Sequence, residues 1–253
     1  MGRLRGGLFI MKIIIRFFYC LYQICIALPL MLIATMLTAI TTIIGCSFGS
    51  GDFWSYYPPA VWSRLCCWVL FLPVKVEGRE HLKKGQSYIF VANHQGVFDI
   101  WMLYGFLGKN FKWMMKKELR KIPLVGKACE KANHLFIERG NTVETTKALE
   151  RAREILRSGM SVCVFPEGTR TKTGNIGHFK RGAYILAKDI QLPVVPITIN
   201  GSYDVLPTTR GISFVKWHRL SLTIHAPIPY DEGQEMKDLM DESRSIIESG
   251  LLL

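Results

Sequence analysis

Residues 88–99 read Tyr-Ile-Phe-Val-Ala-Asn-His-Gln-Gly-Val-Phe-Asp. Tyr88 to Ala92 is a short apolar run rich in aromatic and β-branched residues, which predicts a strand. The Asn-His-Gln-Gly stretch that follows breaks it and leads towards a helical pattern. The same succession recurs outward from this point. Strands are expected at 74–76, 88–92, 111–115, 134–137, 161–165, 194–199 and 220–225. Residues 142–157 form an amphipathic helix, with Ala148, Leu149, Ala152, Ile155 and Leu156 on one face and the charges on the other. A helix over 235–248 closes the chain. Strands alternating with helices predict an α/β domain: a mostly parallel mixed sheet flanked by helices, over residues 73–253.

Upstream the composition changes. Phe17 to Gly51 contains no Asp, Glu, Lys, Arg or His. One span needs about 20 apolar residues and two with a turn more than 40, so this run fits neither count. Pro29 divides it, and a helix is expected to break or kink there. Before Pro29, Lys12, Arg16, Tyr19 and Gln23 form one polar stripe on a helix whose other faces carry Ile10, Ile13, Ile14, Phe17, Phe18 and Leu21. That is the pattern of a helix lying in the membrane interface. Thirteen Phe, Leu and Ile residues between 17 and 44 give about −4 to −8 kcal/mol of insertion. Residues 1–72 are therefore expected to form a two-helix membrane-binding motif. The helix over 8–28 lies in the interface, and 30–46 dips in and returns without crossing. Trp54 to Leu72, rich in Trp and Tyr, is expected to lie against the bilayer and lead into the α/β domain. The run far exceeds a signal-peptide core of about 7–15 residues.

The whole chain has 253 residues and a net charge of +12, with 49% apolar and 21% charged residues, which excludes a disordered chain. Seven cysteines, none in a Cys-x-x-Cys pair or at zinc-finger spacing from His, read as reduced small hydrophobes, pointing to a reducing compartment.

Four stretches carry chemistry. In the first, His94 precedes Asp99 by five residues, directly after a strand. An imidazole acts as a general base when one nitrogen faces the substrate and the other donates to a carboxylate. A strand-to-helix turn can fold Asp99 back onto His94. The second, Phe165-Pro-Glu-Gly-Thr-Arg170, puts a carboxylate, a flexible Gly, a hydroxyl and a guanidinium at a strand's carboxyl end, where ligands of α/β sheets collect. Arg suits bidentate phosphate binding and Gly lets backbone amides approach an oxyanion. The bland alternative is a surface turn. The third, Leu135-Phe-Ile-Glu-Arg139, ends a strand in a cation that is equally an ordinary solvated Arg. The fourth, Leu192-Pro-Val-Val-Pro-Ile197, reads alone as a core strand. Lys112, Lys116, Lys117, Arg120 and Lys121 form a solvated basic face, or beside an apolar anchor a holder of anionic headgroups.

Taken together, Asn-His-x4-Asp, Phe-Ile-x-Arg, Phe-Pro-Glu-Gly-Thr-Arg and Val-Pro-Ile stand in the order and spacing of the four motifs of the glycerolipid acyltransferases. The chain resembles the lysophosphatidate acyltransferases of that family over nearly its whole length. Two positions depart from the usual pattern: His134 stands where Gly is usual, and Gly96 where Ser is frequent. The resemblance implies that His94 deprotonates the sn-2 hydroxyl of lysophosphatidate while Asp99 orients it. The hydroxyl then attacks the thioester of acyl-carrier protein or coenzyme A directly. Glu167, Gly168, Thr169 and Arg170 are implied to hold the glycerol phosphate, with Arg139 and Lys116 adding positive charge. No metal, redox cofactor or protein nucleophile is required, because a thioester is already activated. Membrane lipids are expected as partners and nucleic acid is not. The expected location is the cytoplasmic face of a cell inner or cytoplasmic membrane, held by one leaflet. An acceptor such as another lysophospholipid or a lyso-ornithine lipid remains open, as does a non-catalytic lipid-binding role. A hydrolase in which the same base activates water is a further alternative.

Overall fold

The computed structural model describes residues 2–138, 140–207 and 214–252. Seven strands form one sheet in the order β1-β7-β6-β2-β5-β3-β4. They are β1 Val74–Glu77, β2 Ile89–Ala92, β3 Phe111–Lys116, β4 Leu135–Ile137, β5 Ser161–Val164, β6 Val194–Asn200 and β7 Leu220–Ile224. All pairings are parallel except β6 with β7, which is antiparallel. The mostly parallel mixed sheet expected from the sequence is thus present, with each strand within one or two residues of its expected bounds.

β2 lies at the centre, with Phe90 opposite Cys163 of β5 on one side and Val195 of β6 on the other. Its side chains alternate between two cores, as strand geometry requires. Tyr88, Phe90 and Ala92 join one core with helices α4 (Tyr57–Val69) and α5 (Phe98–Phe106). Ile89 and Val91 join the other with α7 (Thr142–Arg157), α8 (Gly182–Ile190) and α10 (Met236–Ser249). Helices on both faces bury the central strands β2, β5 and β6 at every position. Apart from Asp99 in its first turn, α5 is apolar all round and buried almost throughout, as a helix enclosed between α4 and the sheet must be. α7 follows its sequence pattern: Asn141 caps it by accepting from the Glu144 amide, and Ala148, Ala152, Ile155 and Leu156 are buried.

The N-terminal segment departs from expectation at Pro29. Helices α1 (Gly2–Tyr22) and α2 (Leu28–Phe48) are joined by a π turn over Gln23–Ala27, and the backbone stays helical throughout. The Leu28 amide bonds to the Gln23 carbonyl. This wider turn shifts the carbonyl ladder and accommodates a proline that has no N–H and crowds the preceding turn. The return bend is therefore absent. Residues Ile10–Phe48 form one apolar helix, about 58 Å long at 1.5 Å per residue.

This helix lies along the folded body. The Tyr19 and Tyr22 hydroxyls donate to the Leu70 and Val69 carbonyls at 2.7 and 2.8 Å. Gln23 makes two bonds of 2.9 Å with the Val215 backbone. Trp62 donates to Thr35 at 2.9 Å. Tyr19 and Gln23, expected to face headgroups, instead fasten the helix to the protein. At its far end α2 meets the short α3 (Gly51–Trp54), where the Trp54 ring covers Gly45 so closely that a Cβ would lie 2.1 Å from it. α4 has two faces: Ala60, Cys66 and Cys67 enter the core, while Val61 and Trp68 are exposed. The stretch 54–72 is thus built into the α/β body and keeps an exposed apolar side.

Candidate active site

β2 and β5 are adjacent and parallel, so their carboxyl ends deliver the first two motifs side by side. β2 runs into Asn93 and His94. Asn93 is buried and closes a pair of hydrogen bonds with Ile199 of β6, donating to its carbonyl at 2.8 Å and accepting from its amide at 2.7 Å. The strand that carries the fourth motif thereby holds the Asn93 side chain beside His94.

The turn 94–97 then starts α5 and brings Asp99 back to His94. Nδ1 of His94 lies 2.7 Å from Oδ2 of Asp99. The same oxygen accepts the Gln95 and Gly96 amides at 2.6 and 2.7 Å. Asp99 is fully buried; its Oδ2, already an acceptor for two amides, accepts in turn from Nδ1–H of His94, which leaves Nε2 as the basic nitrogen. His94 is also held from its flat side: its ring stacks on Phe165 with centroids 3.9 Å apart, and Phe165 stacks on Trp113 at 5.4 Å.

Glu167 does not face outward for a ligand. It is buried, with Oε1 accepting the His94 amide and Oε2 the Gly177 amide, each at 2.7 Å. Burial raises its pKa, an effect offset in part by these amide bonds. The Thr171 amide donates to the His94 carbonyl at 2.8 Å. The loop after β5 thus grips the His94 backbone on both its polar groups, and Glu167 positions rather than binds.

The remaining residues of this motif differ in exposure. Gly168 has φ +69°, a left-handed conformation that glycine adopts without cost, and the Lys180 side chain lies over it. Thr169 and Arg170 are exposed at the sheet's carboxyl edge. Lys116 ends β3 at that same edge, exposed and 3.5 Å from Glu118. Arg139 lies outside the described residues. Lys112, read as part of a basic face, is instead buried, donating to Ser55 at 2.6 Å, and burial lowers its pKa.

The two departures from the motif pattern have local reasons. A Cβ on Gly96 would sit 2.6 Å from the hydroxyl of Ser202, which begins the short helix α9 (Ser202–Val205), so Ser202 occupies the space a side chain there would need. His134 is buried, accepts the Trp113 amide on Nδ1 and meets the Tyr104 hydroxyl through Nε2 at 2.6 Å. Burial, with Lys112 nearby, drives its pKa down to about 3, so it is a neutral core histidine. Sequence reasoning missed Asn93, Phe165 and Trp113 as supports of His94. Asn93 carried a signal in its fixed place beside His94, whereas Trp113 carried none.

Residues 73–200 match the family model described as Acyltransferase. A chloroplastic 1-acyl-sn-glycerol-3-phosphate acyltransferase of Arabidopsis thaliana is 36% identical over 179 residues, covering 70% of this chain and 49% of that protein. The human 1-acyl-sn-glycerol-3-phosphate acyltransferase alpha is 36% identical over 132 residues, covering 52% of this chain and 47% of that one. The chain spans about half the length of these curated relatives. The crystal structure of the 1-acyl-sn-glycerophosphate acyltransferase PlsC of Thermotoga maritima superposes with a TM-score of 0.67 at 31% identity, covering 76% of each chain. With the family model spanning half of the sequence and the same fold in a relative of matching length, the chain belongs to the acyltransferase family that includes the 1-acyl-sn-glycerol-3-phosphate acyltransferases.

Proposed function

We propose that this chain transfers an acyl group from the thioester of acyl-carrier protein or coenzyme A to the sn-2 hydroxyl of lysophosphatidate, giving phosphatidate. The observation that carries the reading is the 2.7 Å contact of His94 with a fully buried Asp99. In this reaction Nε2 of His94 accepts the hydroxyl proton as the oxygen attacks the thioester carbonyl. The tetrahedral adduct collapses, the carbon–sulfur bond breaks, and the imidazolium returns its proton to the leaving thiolate. Asp99 stabilises that imidazolium without taking the proton.

Arg170, Thr169, Gly168 and Lys116 at the sheet's carboxyl edge receive the phosphate, Arg139 is a further cation for it, and Glu167 holds the loop that presents it. Residues 73–253, with α4 packed into their core, act as the catalytic unit, and the apolar helix Ile10–Phe48 holds it on the cytoplasmic face of a membrane. The exposed apolar residues Phe17, Phe18, Leu21 and Ile24 support that anchoring. The test is acyl transfer to lysophosphatidate by the purified chain, comparing carrier-protein and coenzyme A thioesters. Transfer that proceeds as well with lysolipids lacking a phosphate monoester would overturn the acceptor assignment.

A further inference from the structure

Between β3 and β4 the chain makes a projecting tip. A 3-10 turn, Lys117–Lys121, is followed by Ile122-Pro123-Leu124 and then α6 (Val125–Lys131). Ile122 and Leu124 are 44% and 41% exposed. Leu124 has φ +60° and ψ −52°, and the Val125 amide bonds back to the Pro123 carbonyl at 2.6 Å. This is the rare, strained hand of γ-turn, which a leucine adopts only when its surroundings impose it. Gly126 shows what imposes it: a Cβ there would lie 2.1 Å from the Arg120 carbonyl, so the chain doubles back on itself tightly. The result is two apolar side chains aimed at solvent, an arrangement unfavourable in water on two separate counts.

The surroundings are cationic. Residues 116–131 hold Lys116, Lys117, Arg120, Lys121, Lys127 and Lys131 against Glu118 and Glu130, a net of +4. Arg120 and Lys127 share Glu130. α6 packs against α2, the carboxyl half of the apolar helix. The tip also follows β3 at the carboxyl edge of the sheet, the edge that carries His94.

We propose that Ile122-Pro123-Leu124 is a second membrane contact, inserting into an anionic leaflet while the flanking lysines meet its headgroups. This rests on the membrane reading of the apolar helix and adds to it an orientation. With the helix and the tip both engaged, the carboxyl edge of the sheet faces the leaflet, and the His94 site opens onto the lysolipid. Charge complementarity and continuity with α2 favour a bilayer over a protein partner.

The full-length chain is bound to vesicles of phosphatidylcholine with or without one-third phosphatidylglycerol, each carrying a photoactivatable phospholipid, and labelled tryptic peptides are mapped. Cleavage after Lys121 and Lys127 isolates residues 122–127. The expected result is label on 122–127 and on 17–64, with the former at least fivefold greater in the anionic vesicles. Label on 17–64 alone would overturn the tip and leave the helix reading standing. Label on neither would overturn both, and equal label in the two lipids would remove the electrostatic half. A Leu124→Gly chain separates insertion from folding, because glycine relieves the turn. It is expected to keep or raise the melting temperature and lose at least fivefold of the label. A change in oligomeric state with unchanged labelling would mean the tip meets a second copy of the chain instead.

Discussion

His94 is exposed to reaction only through Nε2, because its Nδ1 is held by Asp99 Oδ2, the same oxygen that accepts the Gln95 and Gly96 amides. His94→Ala is expected to lower acyl transfer at least about 10²-fold, the usual weight of a positioned general base, with vesicle binding unchanged. A turnover assay on the purified variant checks this, and near-normal rates would exclude the role. Arg170→Ala is expected to raise the KM for lysophosphatidate about tenfold, since an exposed charge-assisted partner is worth about 1–2 kcal/mol. Arg170→Lys should recover little, because a point charge does not replace the planar fork. If the thioester KM rose instead, Arg170 would belong to the donor site. His134 gives a pH prediction. Its pKa is about 3 in the folded chain against 6.5 ordinarily, so the unfolded chain binds the extra proton. The stability it contributes is complete above pH 6.5 and falls as the pH drops towards 3, by at most about 1.4 kcal/mol per unit. A His134→Gln chain should show a flatter acid limb in thermal melts between pH 6.5 and 4.5. A limb as steep as the parent's would assign the acid loss to other groups. At this scale the His94–Asp99 pair was legible, because both partners lie within one turn of chain. The role of Glu167 was not. Its second partner is the Gly177 amide, ten residues on, and a carboxylate facing inward is spelled the same as one facing a phosphate.

At the scale of elements, legibility followed locality. The strands and α7 were readable because their periodicities report burial directly, and their bounds shift by one or two residues only. Pro29 was misleading. Its missing N–H does disturb the helix, but the π turn at Gln23–Ala27 absorbs the disturbance, and nothing in the local residue types separates a wide turn from a break. The polar stripe was misleading for a related reason: a Tyr or Gln on an apolar helix meets headgroups or a carbonyl of its own protein equally well. Only the folded body, with the Leu70 and Val215 backbones in reach, decides between them. The corner between α2 and α3 carries the element-scale prediction. Trp54 lies on Gly45 without room for a Cβ, so Gly45→Val should force the ring out and cost about 1–3 kcal/mol. In a chain of this size that lowers the melting temperature by roughly 3–10 °C. The companion Gly51→Ala, where a Cβ meets nothing within 4 Å, should leave it within a degree or two. Equal effects at the two sites would mean that the Trp54 contact does not hold the corner.

For the whole molecule the question is how a helix of about 58 Å meets a hydrocarbon layer of about 30 Å. Its contacts with the body run from Tyr19 to Gly45, about 40 Å of its length. A perpendicular crossing would carry that body, with the charged faces of α7 and α10, into the lipid, and charged groups at that depth are costly. The helix is therefore expected to lie along one leaflet, with its exposed apolar residues towards the lipid. Charge argues the same way. The first 51 residues hold Arg3, Arg5, Lys12 and Arg16 with no acid, and the remainder holds twenty-eight cations against twenty anions. A single crossing would place these two cationic parts on opposite sides, against the positive-inside bias, and under the proposed function it would part the site from cytoplasmic thioester donors. Both ends are therefore expected on the cytoplasmic side although the helix makes no hairpin. Cysteine introduced at Arg5 or at Leu252, which is 79% exposed, should resist an impermeant thiol reagent in intact cells, relative to the parent chain, and react once the membrane is permeabilised. Gly250 would be a poor site for the label, because a Cβ there lies 2.6 Å from the Thr198 hydroxyl. Reaction at only one of the two positions before permeabilisation would establish a true span. The contacts of Tyr19, Tyr22 and Gln23 would then have to open when the chain meets the membrane, and a Gln23→Ala chain would insert more readily rather than less.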